Sequence, residues 1–238
     1  MKSYFIGGLG CNPVYPQAFF QELSFPVHYL DLYRASIETL EELDNWFAQQ
    51  IQSEENVVLL AHSLGGDLAV YLSNHFPAIK KLILLDGGYL DMERICSLEE
   101  ELEGAAAYLN SYRFSSVEEA VEQEKSQSAI WSDYLEQAVR AGLVWNPAEA
   151  VWQSFLTLDR VSRLLSLRRQ VQGQIQQLQQ DCLFLIPQLT ELTPNWVRES
   201  LTQVPTSVEV VQLANASHDL YVEQPQRLAD LVEKFLKS

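Results

Sequence analysis

Two stretches of the chain, residues 1–88 and 181–238, repeat one pattern: a short apolar run, a loop with glycine or proline, then apolar positions at helical spacing. Residues 4–6, 57–60 and 82–85 are runs of strand length. Residues 27–30 read as another strand, and 182–186 and 208–213 resume the series near the end. Residues 37–51, with leucines, Trp46 and Phe47 at helical spacing, read as a helix. So do a segment starting near Gln17, residues 64–76 ahead of Pro77, residues 195–201 and the amphipathic 225–236. Strands that are apolar throughout, rather than at every second residue, need cover on both faces. The pattern predicts an α/β fold with a mostly parallel sheet and helices on both faces.

Between these stretches the pattern changes. Residues 89–180 contain no strand-like run, are rich in Glu and Gln, and read as helical throughout. They carry Tyr108, Tyr112, Phe114, Trp131, Tyr134, Trp145, Trp152 and Phe155. An insertion that follows a strand's C-terminal end sits over the edge where α/β sheets bind ligands. The expected organisation is a core of residues 1–88 and 181–238 with a helical cap of residues 89–180. The aromatic residues are either the cap's own core or part of a binding site. Residues 170–180 keep an apolar period among glutamines and read as a polar-faced helix.

Composition narrows the classes of partner. The 238 residues suit one domain with an insertion, and 47% hydrophobic residues are enough for a substantial core. A formal charge of −16 repels phosphate backbones and anionic lipid, so neither nucleic acid nor a membrane surface is an expected partner. Cys11, Cys96 and Cys182 have no metal-ligand or CxxC spacing, and their odd count suits the reduced thiols of a cytoplasmic protein. No signal-peptide core is visible after Met1-Lys2, and no apolar run has the length of a membrane span.

The sharpest chemical signal is "VVLLAHSLGGDLAV", residues 57–70. A strand-like run ends in Ala61-His62-Ser63-Leu64-Gly65-Gly66, and a helical pattern begins at once. A serine on so sharp a turn needs small neighbours two residues away on either side, which Ala61 and Gly65 supply. The free N–H groups of the following helix also favour negative charge at the site. Without chemistry, Ser63 would serve as a helix N-cap. GGLG at residues 7–10 lacks the spacing of a dinucleotide fingerprint.

With these residues the chain resembles the α/β-hydrolase family over nearly its whole length. The resemblance is carried by Gly7-Gly8-Leu9-Gly10, the Ser63 stretch, Leu85-Asp86-Gly87-Gly88, and Ala216-Ser217-His218-Asp219-Leu220 before Glu223-Gln224-Pro225. It implies a core that lacks the family's usual first strands, because the chain begins at the strand feeding the oxyanion loop. It also implies Ser63 as nucleophile and His218 as general base. The oxyanion donors would be the backbone N–H groups of Leu64 and of Leu9, where Gly7-Gly8 stands for the family's frequent His-Gly. Two carboxylates compete as the acid. Glu191, in the loop after the strand before last, is the expected one, and Asp86 is the alternative. His62 is adjacent to the nucleophile and so points elsewhere; His28 and His75 are weaker candidates still.

The expected activity is that of a serine hydrolase, a carboxylesterase-type acyl hydrolase for a small, moderately apolar substrate, with no metal or organic cofactor. Dehalogenase and epoxide-hydrolase chemistry use a carboxylate where Ser63 stands. Triad-based lyase chemistry and a catalytically weak binding or receptor protein remain as alternatives. The partner is a small molecule, and the chain acts alone or as a homodimer.

Overall fold

The computed structural model describes residues 1–237. The chain opens with β1 (Lys2–Ile6), α1 (Gln17–Glu22), β2 (Val27–Leu30), α2 (Leu40–Ile51), β3 (Val57–His62), α3 (Leu64–His75) and β4 (Ile79–Leu85). A long excursion follows: α4 (Leu98–Ser111), β5 (Arg113–Phe114), α5 (Val117–Gln127), α6 (Asp133–Ala141), β6 (Leu143–Asn146), β7 (Val151–Ser154) and α7 (Leu158–Val171). The chain then returns through β8 (Asp181–Pro187), α8 (Asn195–Leu201), β9 (Glu209–Leu213), α9 (Leu220–Glu223) and α10 (Pro225–Lys237).

Six strands form one sheet in the order β2-β1-β3-β4-β8-β9, and every pairing is parallel. The burial of β3 shows why its residues are apolar throughout. Val57, Leu59 and Ala61 enter one core cluster, with residues of α2, α3 and α7. Val58 and Leu60 enter another, with residues of α1, α9 and α10. Successive side chains of a strand point to opposite faces, so a sheet covered twice takes hydrophobes at every position.

The helix ends follow local chemistry. α2 starts at Leu40, three residues later than the apolar period suggested, because Thr39 and Glu42 form a capping box. α4 starts in the same way, with Ser97 and Glu100. α7 ends at Val171. Gly173, at φ 78°, turns the chain into a single 3₁₀ turn at Gln174–Gln177, so residues 170–180 are not the continuous polar-faced helix that their period predicted.

The excursion between β4 and β8 is not helical throughout. It contains a three-stranded antiparallel sheet of order β5-β7-β6, in which Trp145 lies opposite Trp152. The two Val-Trp pairs flanking Asn146-Pro147 were the available signal for this hairpin. Phe114, Ala120 and Leu143 make a small core there, with Tyr112, Val139 and Trp152 packed against it. α7 belongs with the main sheet's packing instead: Val161, Leu164, Leu165, Leu167 and Val171 are buried in the cluster that α3 enters. α4 is held on α7 by charge. Glu101 receives both Arg168 and Arg169, and Arg169 also reaches Glu93 at 2.7 Å. No helix among the described residues is long and apolar enough to cross a membrane.

Candidate active site

β3 ends and α3 begins with one residue between them, and that residue is Ser63. Its backbone stands at φ 53°, ψ −127°, a conformation unfavourable for a residue with a Cβ. The surroundings hold it there. The Ser63 N–H donates to the Leu85 carbonyl at 3.1 Å, and the Ser63 carbonyl accepts from Gly66 N–H at 2.7 Å. The turn fits only because its neighbours lack side chains. A Cβ on Gly65 would lie 2.5 Å from the Ile6 carbonyl oxygen, and one on Gly87 would lie 2.2 Å from that of Ser63. The Ser63 side chain makes no cap hydrogen bond to α3.

The hydroxyl bonds instead to a histidine from the far end of the sheet. His218, in the loop between β9 and α9, has Nε2 2.9 Å from Ser63 Oγ and Nδ1 2.7 Å from Asp86 Oδ2. With Nδ1–H donating to the carboxylate, Nε2 carries the lone pair that accepts the hydrogen bond from the Ser63 hydroxyl. Asp86 is the first residue after β4, at φ 43°, and its Oδ1 accepts from Tyr89 Oη at 3.4 Å. Burial would lower the His218 pKa, but the hydrogen bond and charge of Asp86, helped by Asp219, more than reverse this, and the net direction is upward from 6.5.

The partner of His218 is therefore Asp86, and Glu191 is not brought to the site. Glu191 is exposed on a loop after β8 in which Thr190 N–H bonds Thr193 and Arg198 bonds the Thr190 carbonyl. The sheet order explains the difference. β4 lies directly beside β3, whereas β8 is one strand further out, so a carboxylate leaving β4 starts a strand spacing of about 4.8 Å nearer Ser63. Gly87 makes the close contact between the Asp86 turn and the Ser63 turn, and Gly88 lies against the Gly66 carbonyl.

Two buried residues complete this support, and the sequence alone did not single out either role. His62 is 4% exposed and donates from Nε2 to the His218 carbonyl at 3.0 Å. Burial, and secondarily the nearby His218 charge, lowers its pKa to about 3 against the opposing backbone bond, so it stays a neutral strut under the His218 loop. Asp67, in the first turn of α3, is 8% exposed and accepts Gly88 N–H at 3.1 Å, tying the Ser63 helix to the acid's turn. His28 and His75 lie exposed, away from the triad.

The loop after β1 is tightly built. The Gly8 carbonyl accepts from Cys11 N–H at 3.0 Å and from the Tyr33 hydroxyl, while Tyr29 Oη donates to the Cys11 carbonyl at 2.7 Å. Tyr33 thus anchors the loop in a chain that has no His-Gly there. Leu9 and Leu64 line the same cavity as Ser63 and His218. That cavity has a volume of about 600 Å³ and is roofed by residues of α4–α7 and the small sheet, including Leu109, Val139 and Phe155. Asn12, donating from Nδ2 to the Ala138 carbonyl at 2.7 Å, ties the β1 loop to α6 in the roof.

The sequence matches the alpha/beta hydrolase family over residues 10–231, and the chain belongs to that family. No curated protein matches it. Among solved structures it is similar to an E-2-(acetamidomethylene)succinate hydrolase, with a TM-score of 0.76 and 14% identity over 100% of this chain and 91% of that one. It is also similar to a thioesterase domain from the curacin biosynthetic pathway, at TM-score 0.70 and 18% identity over 97% and 90% of the two chains. An esterase from M. tuberculosis superposes at TM-score 0.72 with 17% identity, over 100% of this chain and 85% of that one. At such identities the likeness is one of fold.

Asp67 makes the site's support measurable. Burial raises its pKa from 3.8 to about 7, with Glu101 adding and Arg168 and Gly88 N–H opposing. The folded protein therefore holds a proton that the unfolded chain has lost, and stability falls as pH rises across that window, by at most about 1.4 kcal/mol per pH unit. Asp67→Asn keeps the acceptor for Gly88 and removes the ionisation. Its melting temperature is expected to exceed the wild type's at pH 8 and to exceed it by a smaller margin at pH 5, part-way down the window. An equal difference at both pH values would show that Asp67 does not titrate in this range.

Proposed function

We propose that the protein is a serine hydrolase of carboxylesterase type. The observation that carries this reading is the unbroken chain from Ser63 Oγ to His218 Nε2 and from His218 Nδ1 to Asp86, opening onto a cavity of substrate size. Ser63 Oγ attacks an ester-type carbonyl carbon as its proton passes to His218 Nε2. The imidazolium so formed is stabilised and held in register by Asp86. The backbone N–H groups of Leu9 and Leu64 receive the oxyanion. Collapse of the tetrahedral intermediate breaks the ester C–O bond, and the alcohol leaves with the proton from His218. A water molecule, deprotonated by the same imidazole, then attacks the acyl-Ser63 carbonyl; the acyl–Oγ bond breaks, His218 returns the proton to Ser63 Oγ, and the acid is freed. The apolar part of the roof suits a small, moderately apolar acyl or aryl group.

Ser63 is expected to react with a fluorophosphonate in the folded wild-type protein, and Ser63→Ala is expected to abolish both labelling and hydrolysis of a p-nitrophenyl ester. Unlabelled Ser63 in protein shown to be folded would favour a binding protein. Labelled Ser63 without ester turnover would favour the lyase chemistry of the same triad.

The two carboxylates separate by mutation. Asp86→Asn should lose about 10⁴-fold in turnover, the scale of a neutral amide at a serine protease's acid position, while Glu191→Gln stays near the wild-type rate. The groups facing His218 are Ser63, Asp86, Asp219 and the neutral His62. Because Asp86 holds the His218 pKa above 6.5, the wild-type rate should rise with pH through a midpoint above that value. Residual activity of Asp86→Asn should rise through a lower midpoint. Full activity in Asp86→Asn would remove Asp86 from the mechanism.

A further inference from the structure

The cavity above Ser63 has two chemically different parts. Where α7 and α4 meet, its one lining guanidinium, Arg168, is already bound by Glu101. An anionic substrate finds no free cation there. Near His218 the lining changes: Tyr15 from the β1 loop, Tyr108 and Tyr112 from the end of α4, Glu124 from α5 and Asp219 all face the same space. Four separate segments of chain supply these residues.

The group is compact. The Glu124 charge acts on Tyr15, Tyr108 and Tyr112. Asp219 acts on Tyr15 from the other side. The rings of Tyr108 and Tyr112 stack with centroids 5.4 Å apart and planes at 27°. Neither Glu124 nor Asp219 takes part in an ion pair among the described residues. Burial, with the charges of Glu223 and Asp86, raises the Asp219 pKa despite the neighbouring His218, the mark of a carboxylate short of positive charge. All three phenols are pushed upward, by burial first and then by carboxylate charge, so the rings remain neutral.

Two carboxylates that form no ion pair among the described residues, beside three tyrosine rings, suit one kind of ligand group. An ammonium is attracted by the carboxylates at any approach, and a ring face adds a further attraction to a cation within about 6 Å. A neutral hydrocarbon of the same shape gains neither, and an anion is repelled. The feature that makes this a ligand site, rather than an acidic patch, is that it shares its cavity with the hydrogen-bonded Ser63 and His218.

We propose that the protein selects esters carrying a positively charged amine or quaternary ammonium group, received by Glu124 and Asp219 among the rings of Tyr15, Tyr108 and Tyr112. The proposal rests on the serine-hydrolase reading for what happens to the ester, but not for the binding.

The test keeps the two apart. Binding of butyrylcholine and of its neutral carbon isostere, 3,3-dimethylbutyl butyrate, is measured by calorimetry on Ser63→Ala at low ionic strength. Fluorophosphonate labelling is run separately on the wild type. The cation is expected to bind at least tenfold more tightly than the isostere. Adding Glu124→Gln should cut that ratio at least fivefold, and Asp219→Asn should cut it further. Should Glu124→Gln fail to fold, Tyr108→Leu, at a ring 55% exposed, is expected to lower the same ratio. Raising the salt concentration should weaken butyrylcholine and leave the isostere unchanged. Equal or weaker binding of the cation, or a ratio that neither variant moves, overturns the proposal whatever the labelling shows. Selective cation binding with an unlabelled Ser63 upholds the cage and removes the hydrolase reading.

Discussion

The arrangement of this site depends on one turn. To leave β3 and enter α3 with a single residue between them, Ser63 takes a positive φ, and the Oγ is thereby lifted off the sheet edge. That conformation costs on the order of 1–3 kcal/mol and survives only where its surroundings leave no alternative. Here the surroundings are backbone. The Ile6 and Gly7 carbonyls press on Gly65, and Gly87 presses on Ser63 itself. The same lack of side chains that permits the turn brings three strand ends together. β1 delivers the loop carrying Leu9, β3 leads into Ser63 and β4 into Asp86.

This constraint is also why so much was legible in the sequence. A strand, a serine between small residues and a helix form a pattern that few other structures require. The parallel sheet followed from strands apolar at every position. What could not be read was any relation depending on lateral order. Asp86 and Glu191 each follow a strand, and nothing along the chain says which strand lies nearer β3. The order β3-β4-β8-β9 decides it, and His218, coming from beyond β9, reaches back over β8 to meet Asp86. The small antiparallel sheet was missed because its strands are two to four residues long and half-exposed. Their period is lost among flanking helices rich in Glu and Gln. The cavity-facing tyrosines could be listed from sequence, but their convergence with Glu124 and Asp219 is a property of the folded chain.

Precision at the triad is held by polar groups that the fold buries at a cost. An imidazole and a carboxyl are both placed where their charged forms are disfavoured, as the downward shift of His62 and the upward shift of Asp67 record. Apolar residues would fill the same volumes with less penalty, but they have no direction. His62 Nε2–H fixes the height of the His218 carbonyl, and Asp67 Oδ1 fixes Gly88 two residues beyond Asp86. The His218 side chain is itself half-exposed, at 53%, and Asp86 is held at 13%. His218 is thus open to the cavity, while His62 and Asp67, which hold its loop and the Asp86 turn, are sealed beneath. A bond of 2.7 Å to Asp86 and one of 2.9 Å to Ser63 can coexist on one ring only if both its strand-end partners and its own loop are positioned independently. Asp67 does this for the acid's turn, His62 for the histidine's loop and the surrounding glycines for the serine's turn. The stability given up by burying two ionisable groups is exchanged for three fixed points around one imidazole.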